Sequence, residues 1–286
     1  MKQFIIILIS FFISFASCKQ KEINIELPFD SSKVTLNSII EKDSLVYVRL
    51  TKTLPALSNH NTFEEIKNAK VDLYENEVLK ETLKEKTING KNYYTSSLQA
   101  KQGNRYTLKA NGIFSSLQTS SLIPSAPEVL SFNMVEASYS RYNMHLKIKD
   151  EKGVKNYFMI RVYSHAGSSN YSGYTNFIIE NIKKKTGGIF DDFKEPDPES
   201  LQIFTDEDFA DKDEFTLILS DFSAENNYTL EFSNISEDYY RYLETLELQK
   251  QTESDPLREK VIIYSNIQGG LGILGAKSTT YVSFTP

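Results

Sequence analysis

Apolar and polar positions alternate with period two along most of the chain. Leu45 to Leu50 is rich in β-branched and aromatic residues. Ala69, Val71 and Leu73 alternate with Lys70 and Asp72, and Tyr106, Leu108 and Ala110 alternate with Arg105, Thr107 and Lys109. Period two gives a strand one buried and one wet face, the habit of antiparallel sheets. Asn89-Gly90, Gly103-Asn104 and Asn111-Gly112 separate these runs and supply residues that tolerate positive φ. Thr62 to Glu65 has capping-box spacing and predicts one helical turn. Pro124-Ser125-Ala126-Pro127 then interrupts the ladder, because two prolines hold the backbone extended. Strand patterns resume at Leu146 and Ile148, Tyr157 to Tyr163, Phe215 to Leu219, and Tyr228, Leu230 and Phe232. Ser236 caps a helix in which Tyr239, Tyr242, Leu243, Leu246 and Lys250 share one face. Val261 to Tyr264 and Thr279 to Phe284 read as closing strands. The pattern predicts a mainly β chain of two antiparallel β-sandwich-like domains, with one amphipathic helix late in the second. The first is immunoglobulin- or fibronectin-like over residues 36–125; the second covers 126–286, with its helix near 236–251.

The N-terminus breaks this period. Lys2 precedes the apolar run Phe4 to Phe15, and Ala16-Ser17-Cys18 follows. The run is short for a spanning helix, which needs about 20 residues. A positive start, a short apolar stretch and small residues at the end describe a secretory signal peptide. Cys18 is the single cysteine of the chain. The stretch resembles the bacterial lipoprotein signal, in which that cysteine is acylated and becomes the first mature residue. Phe15 stands where leucine is usual. Residues 1–17 are then the signal peptide and 18–35 a lipid-anchored tether. Several acyl chains on Cys18 would hold the protein durably in the lipid bilayer.

Composition narrows the partners. Lys and Arg number 32 against 38 Asp and Glu, for a formal charge of -6. No basic excess is available to neutralise a phosphate backbone, so no nucleic-acid partner is expected. Hydrophobic residues at 40% and charged residues at 24% fit a globular protein and exclude wholesale disorder.

Candidate chemistry is sparse. Gly270-Leu271-Gly272-Ile273-Leu274-Gly275 matches the dinucleotide fingerprint in letters, but Ala276 to Phe284 reads as a strand. The fingerprint needs a helix N-terminus there to hold the pyrophosphate, so the glycines predict a tight turn and no nucleotide cofactor. The acidic stretch from Asp191 to Glu214 could offer oxygen ligands to calcium. It lacks the glycine and closing glutamate of an EF-hand loop, and a solvated loop is the preferred reading. His60, His145 and His165 lack ligand spacing, and no Gly-x-Ser-x-Gly elbow occurs. The expectation is no enzyme, no catalytic residue and no metal. Ser164 to Phe177 mixes Tyr171, Tyr174 and Phe177 with Ser, Gly and Asn. That palette suits an adaptable partner-binding loop, and equally a long connection between strands.

From Leu36 to the C-terminus the chain resembles the lipoproteins of Bacteroidota grouped as domain of unknown function 4249. The resemblance rests on Val46 to Thr53, Ile66 to Tyr74, Gly103 to Leu108 and the Ile123-Pro124 exit. It continues through Asn156-Tyr157-Phe158, Tyr239 to Leu243, Asp255-Pro256-Leu257 and, most specifically, Ile263 to Ile273. It implies a lipid-anchored outer-membrane protein that works beside a TonB-dependent receptor, and it transfers no catalytic residue. The resulting expectation is a non-catalytic binding or accessory component of TonB-dependent uptake. The alternative is an envelope adhesion or scaffolding lipoprotein with no transport role; a hydrolase with a dispersed triad stands third.

Overall fold

Leu36, Ser38 and Ile40 point to one side of the first strand and are buried, while Thr35, Asn37 and Ile39 point to the other. The same alternation builds most of the fold. The computed structural model describes residues 32–54, 62–112, 114–165, 172–182, 199–209, 212–253 and 261–286. In chain order the strands are β1 (Val34–Glu41), β2 (Leu45–Lys52), β3 (Lys70–Glu75), β4 (Val78–Thr82), β5 (Lys84–Ile88) and β6 (Lys91–Gln99). Next come β7 (Arg105–Asn111), β8 (Leu117–Leu122), β9 (Glu128–Ser138), β10 (Arg141–Lys149), β11 (Tyr157–His165) and β12 (Gly173–Thr175). The last group is β13 (Ile178–Ile179), β14 (Leu201–Thr205), β15 (Glu214–Ser223), β16 (Asn227–Ile235), helix α1 (Glu237–Glu253) and β17 (Leu271–Phe284). A single 3-10 turn, Asp206–Phe209, precedes β15.

The fold is mainly β, with sandwich-like layers and α1 late in the chain, as the periodicity predicts. A nine-stranded sheet runs β12-β11-β16-β17-β1-β2-β6-β5, with β14 pairing β11 beside β12. One four-stranded sheet (β4-β3-β7-β8) shares a core with its β1, β2 and β6. The other (β13-β15-β10-β9) shares a core with its β11 and β16. Leu36, Val48, Leu50, Tyr94 and Leu108 fill the first core; Phe158, Leu217, Phe222, Leu230 and Phe232 fill the second.

β17 belongs to both cores. Its inward positions are Leu274 and Ala276 in the first core and Phe284 in the second. Between them Ser278 Oγ donates to Pro124 O at 2.7 Å, and Thr280 Oγ1 donates to Pro127 O at 2.6 Å. The proline segment thus crosses the inner face of β17 between the cores, fixed by side-chain hydroxyls and not by ladder bonds. β17 runs antiparallel to β16 and parallel to β1, Thr35 to Glu41 pairing with Leu271 to Lys277. Parallel pairing needs no local turn, so periodicity cannot announce it.

Three local readings change. Thr62 to Glu65 forms no helical turn. Its backbone is taken by the β2 edge: Lys52 N donates to Glu64 O at 2.9 Å, and Ile66 N donates to Leu50 O at 3.0 Å. The Glu65 carboxylate is used by Arg49 and by the Asn92 backbone N–H, so it does not close a cap. Val261 to Tyr264 joins no sheet. Tyr264 N donates to Thr245 Oγ1 at 2.9 Å and its hydroxyl donates to Asp238, which ties the segment to α1. The glycines divide between turn and strand: Gly269 and Gly270 make the turn, while Gly272 and Gly275 lie inside β17.

Ser236 does cap α1, its Oγ accepting from Tyr239 N at 3.4 Å and from Ala276 N at 3.1 Å. The helix lies on the outer face of the nine-stranded sheet. A Cβ on Gly275 would sit 2.8 Å from both Tyr239 Cγ and Ile39 Cδ1, so only glycine admits this approach. Tyr240 packs against Tyr157 of β11 with ring centroids 5.2 Å apart.

Buried tyrosine hydroxyls make the fold sensitive to alkali. Tyr94 is fully buried, 2.9 Å from both Ile66 O and Glu85 Oε1, and accepts from Ala69 N at 3.0 Å. Burial pushes Tyr94, Tyr240 and Tyr264 up to about 12 from 10.0, with Glu85, Glu244 and Asp238 respectively adding to the shift. A raised tyrosine pKa favours folding while the unfolded state keeps its proton. That contribution is complete below pH 10 and is lost as pH climbs toward 12. The thermal midpoint should therefore fall steeply between pH 10 and 12. Phenolate absorbance at pH 11 should reach its full amplitude only after the chain is unfolded with denaturant.

Candidate functional site

The outer face of the nine-stranded sheet carries a polar and aromatic cluster beside α1. Strand alternation places Arg161, Tyr163 and His165 of β11 on this face with Thr229 and Glu231 of β16, Tyr281 of β17 and Tyr174 of β12. Arg161 stands directly opposite Glu231, and Glu231 opposite Tyr281. Nε and Nη2 of Arg161 both donate to Glu231 Oε2, at 2.9 and 2.5 Å. The other carboxylate oxygen, Oε1, accepts from the Tyr174 hydroxyl at 2.9 Å. The guanidinium also lies over the Tyr174 ring, 4.4 Å from its centroid. Tyr163 meets Tyr174 edge to face at 5.4 Å, and His165 Nε2 lies 2.8 Å from Thr229 Oγ1. Toward the first core, Glu41 accepts from Lys277 Nζ at 3.1 Å and from Thr279 Oγ1 at 2.9 Å.

Burial and neighbouring charges set the protonation of the tyrosines on this face. Burial raises the Tyr174 hydroxyl, its bond to Glu231 raises it further, and Arg161 pulls it back. Tyr281 is raised by burial first, then by Glu41 and Glu231. These phenols stay protonated at neutral pH, able to donate and accept hydrogen bonds but not to serve as bases. Glu231 is occupied on both oxygens. The Arg161–Glu231 and Lys277–Glu41 pairs cancel, leaving the cluster without net charge.

The sequence-stretch from Ser164 to Phe177 divides on this scaffold. Tyr174 joins the outer face, 41% exposed, whereas Phe177 is fully buried in the second core. Tyr171, His60 and Cys18 lie outside the described residues. So do Asp191, Asp192, Glu195, Asp197 and Asp211 of the acidic stretch. Three of its described acids meet neighbours: Asp206 Oδ2 accepts from Asn156 N at 2.7 Å, Glu207 pairs with Lys155 and Glu214 with Lys147. Among the described residues no three His, Cys, Asp or Glu side chains converge as metal ligands. None of the described helices is long and apolar enough to cross a membrane.

Arg161, Glu231 and Tyr281 are site residues that sequence reasoning missed. Each occupies an outward position in an alternating strand, which is a visible signal. Their meeting depends on the β11-β16-β17 register, which joins positions 70 residues apart in the case of Arg161 and Glu231.

Among solved structures the chain is similar to a DUF4785 family protein from Legionella pneumophila, at 7% identity and a TM-score of 0.27. The match covers 70% of this chain and 52% of that one, so this chain spans about half the length of that protein. A search of curated proteins gave no match. The family described as Domain of unknown function (DUF4249) matches residues 20–281, through the β1–β17 frame and the outer face alike, and the chain belongs to that family.

Proposed function

We propose that this chain is a lipoprotein of Bacteroidota, anchored in the outer membrane through acylated Cys18. There it acts without catalysis as a binding or accessory component of TonB-dependent uptake. The observation that carries the reading is the Lys2 to Cys18 stretch, a short apolar run ending in Ala-Ser-Cys immediately ahead of the family match over residues 20–281. The rigid sheets and their charge-balanced tyrosine face suit recognition, which needs fixed groups and no activated nucleophile. An anchor raises local concentration beside a receptor, so even a weak contact stays occupied.

The test is an affinity pulldown of tagged chain from gently solubilised outer membranes, with labelled palmitate in the growth medium. Label on the wild-type chain, its loss in Cys18→Ala, and a co-purifying β-barrel receptor are the expected results. Recovery of labelled chain without any barrel would replace the uptake role with the adhesion or scaffolding one. Failure of the label to enter would remove the anchor itself.

A further inference from the structure

The binding role proposed above leaves open what the outer face holds, and its chemistry narrows the choice. We infer that the Arg161–Glu231–Tyr174–Tyr281 face binds a neutral saccharide chain.

Charge excludes the ionic ligands first. Arg161 is matched by Glu231 and Lys277 by Glu41. An anion approaching either cation meets a carboxylate within the same pair, and a cation meets the reverse arrangement. Removing a partner from such a pair costs more than the new contact returns. The ligand that gains is uncharged and carries both hydrogen-bond donors and acceptors.

Ring geometry narrows it further. Tyr281, on the inner strand β17, is 59% exposed, and Tyr174, on the edge strand β12, is 41% exposed. Each offers an apolar ring surface with a neutral hydroxyl at its rim. A pyranose has the complementary form, with an apolar C–H face bordered by hydroxyls. Arg161 spends Nε and Nη2 on one oxygen of Glu231, which leaves Nη1 without a bond among the described residues. A guanidinium held flat by its carboxylate can donate to the oxygens of vicinal hydroxyls without reorganising. The four strands from β12 to β17 span about 14 Å, the length of about three sugar rings.

Full-length chain carrying Cys18→Ala should be titrated calorimetrically with short neutral oligosaccharides of the malto, cello, xylo and chito series. At least one series should bind at millimolar concentration or better. Tyr281→Ala and Arg161→Gln should each weaken that binding by about tenfold or more. Tyr281→Phe, which keeps the ring, should retain most of it. Val78→Ser, on the exposed side of β4, should leave it unchanged. Tyr281→Ala and Val78→Ser should melt as the parent does, and Arg161→Gln, which leaves Glu231 without its cation, is titrated well below its own lowered midpoint. No binding by any series would overturn the inference, as would binding that survives Tyr281→Ala or binding of a neutral peptide mixture instead. A receptor that still co-purifies in those cases would leave the uptake reading standing while this inference falls.

Discussion

A chain that stops at Gly270 should form neither core. β17 lies between β1 and β16 in the nine-stranded sheet, so its loss cuts that sheet in two and opens two inner edges. It also removes Leu274 and Ala276 from one core and Phe284 from the other. The proline segment loses the Ser278 and Thr280 hydroxyls that fix its carbonyls. Each loss alone would be serious against a typical net stability of about 5–15 kcal/mol; together they exceed it. Near-ultraviolet circular dichroism should be flat, and trypsin should leave no protected fragment. A stable fragment spanning Lys33 to Ile123 would show that the first sandwich stands without the last strand, and would sink the prediction.

The same strand explains what could be read in advance. Alternation marked β3, β7, β10 and β16, and apolar, β-branched or aromatic runs marked β2, β11 and β15. In β11 Met159 is buried on the face opposite Phe158 and Ile160, so its run is nearly continuous. Asn89-Gly90 turns the chain between β5 and β6, both residues at positive φ as the turn chemistry requires. Ser236 caps the helix for the reason its hydroxyl suggests. What stayed hidden was pairing at a distance. Thr35 and Leu271 are neighbours in space, and no local rule connects them. The misread segments have a shared cause: Glu65 and Tyr264 were claimed by a strand edge and a helix side chain, partners that a short window of sequence does not contain.

The candidate site was legible only in part for a related reason. Tyr174 stood out by composition, and it does lie on the open face. Phe177, three residues on, looked equivalent but falls inward, its backbone bridged to Glu199 and its ring in the second core. Composition marks a segment, whereas facing depends on where the strand starts. Arg161 and Glu231 carry no signal in composition, and only register sets them opposite each other.

Replacing Gly272 by alanine should cost about 3 kcal/mol, and the contrast with another glycine explains why. Gly272 has φ of +109° and Gly90 has φ of +75°, so both take a conformation that a Cβ disfavours. At Gly90 a Cβ would meet nothing within 4 Å. Alanine there should bring only the backbone strain, about 1–2 kcal/mol. At Gly272 the same atom would lie 2.2 Å from Leu36 O and 2.9 Å from Asn37 Oδ1. Leu36 is the ladder partner of Gly272, so the clash is with backbone that cannot turn aside. Overpacking of this kind adds about 1–3 kcal/mol, and relief means prising β17 from β1. For a chain of this size the sum lowers the melting temperature by roughly 6–12 °C, against roughly half that for Gly90→Ala. Scanning calorimetry of the two variants decides it. Equal shifts would mean that the parallel β1–β17 seam yields as easily as an exposed turn, and the seam would lose its place as the element joining both cores.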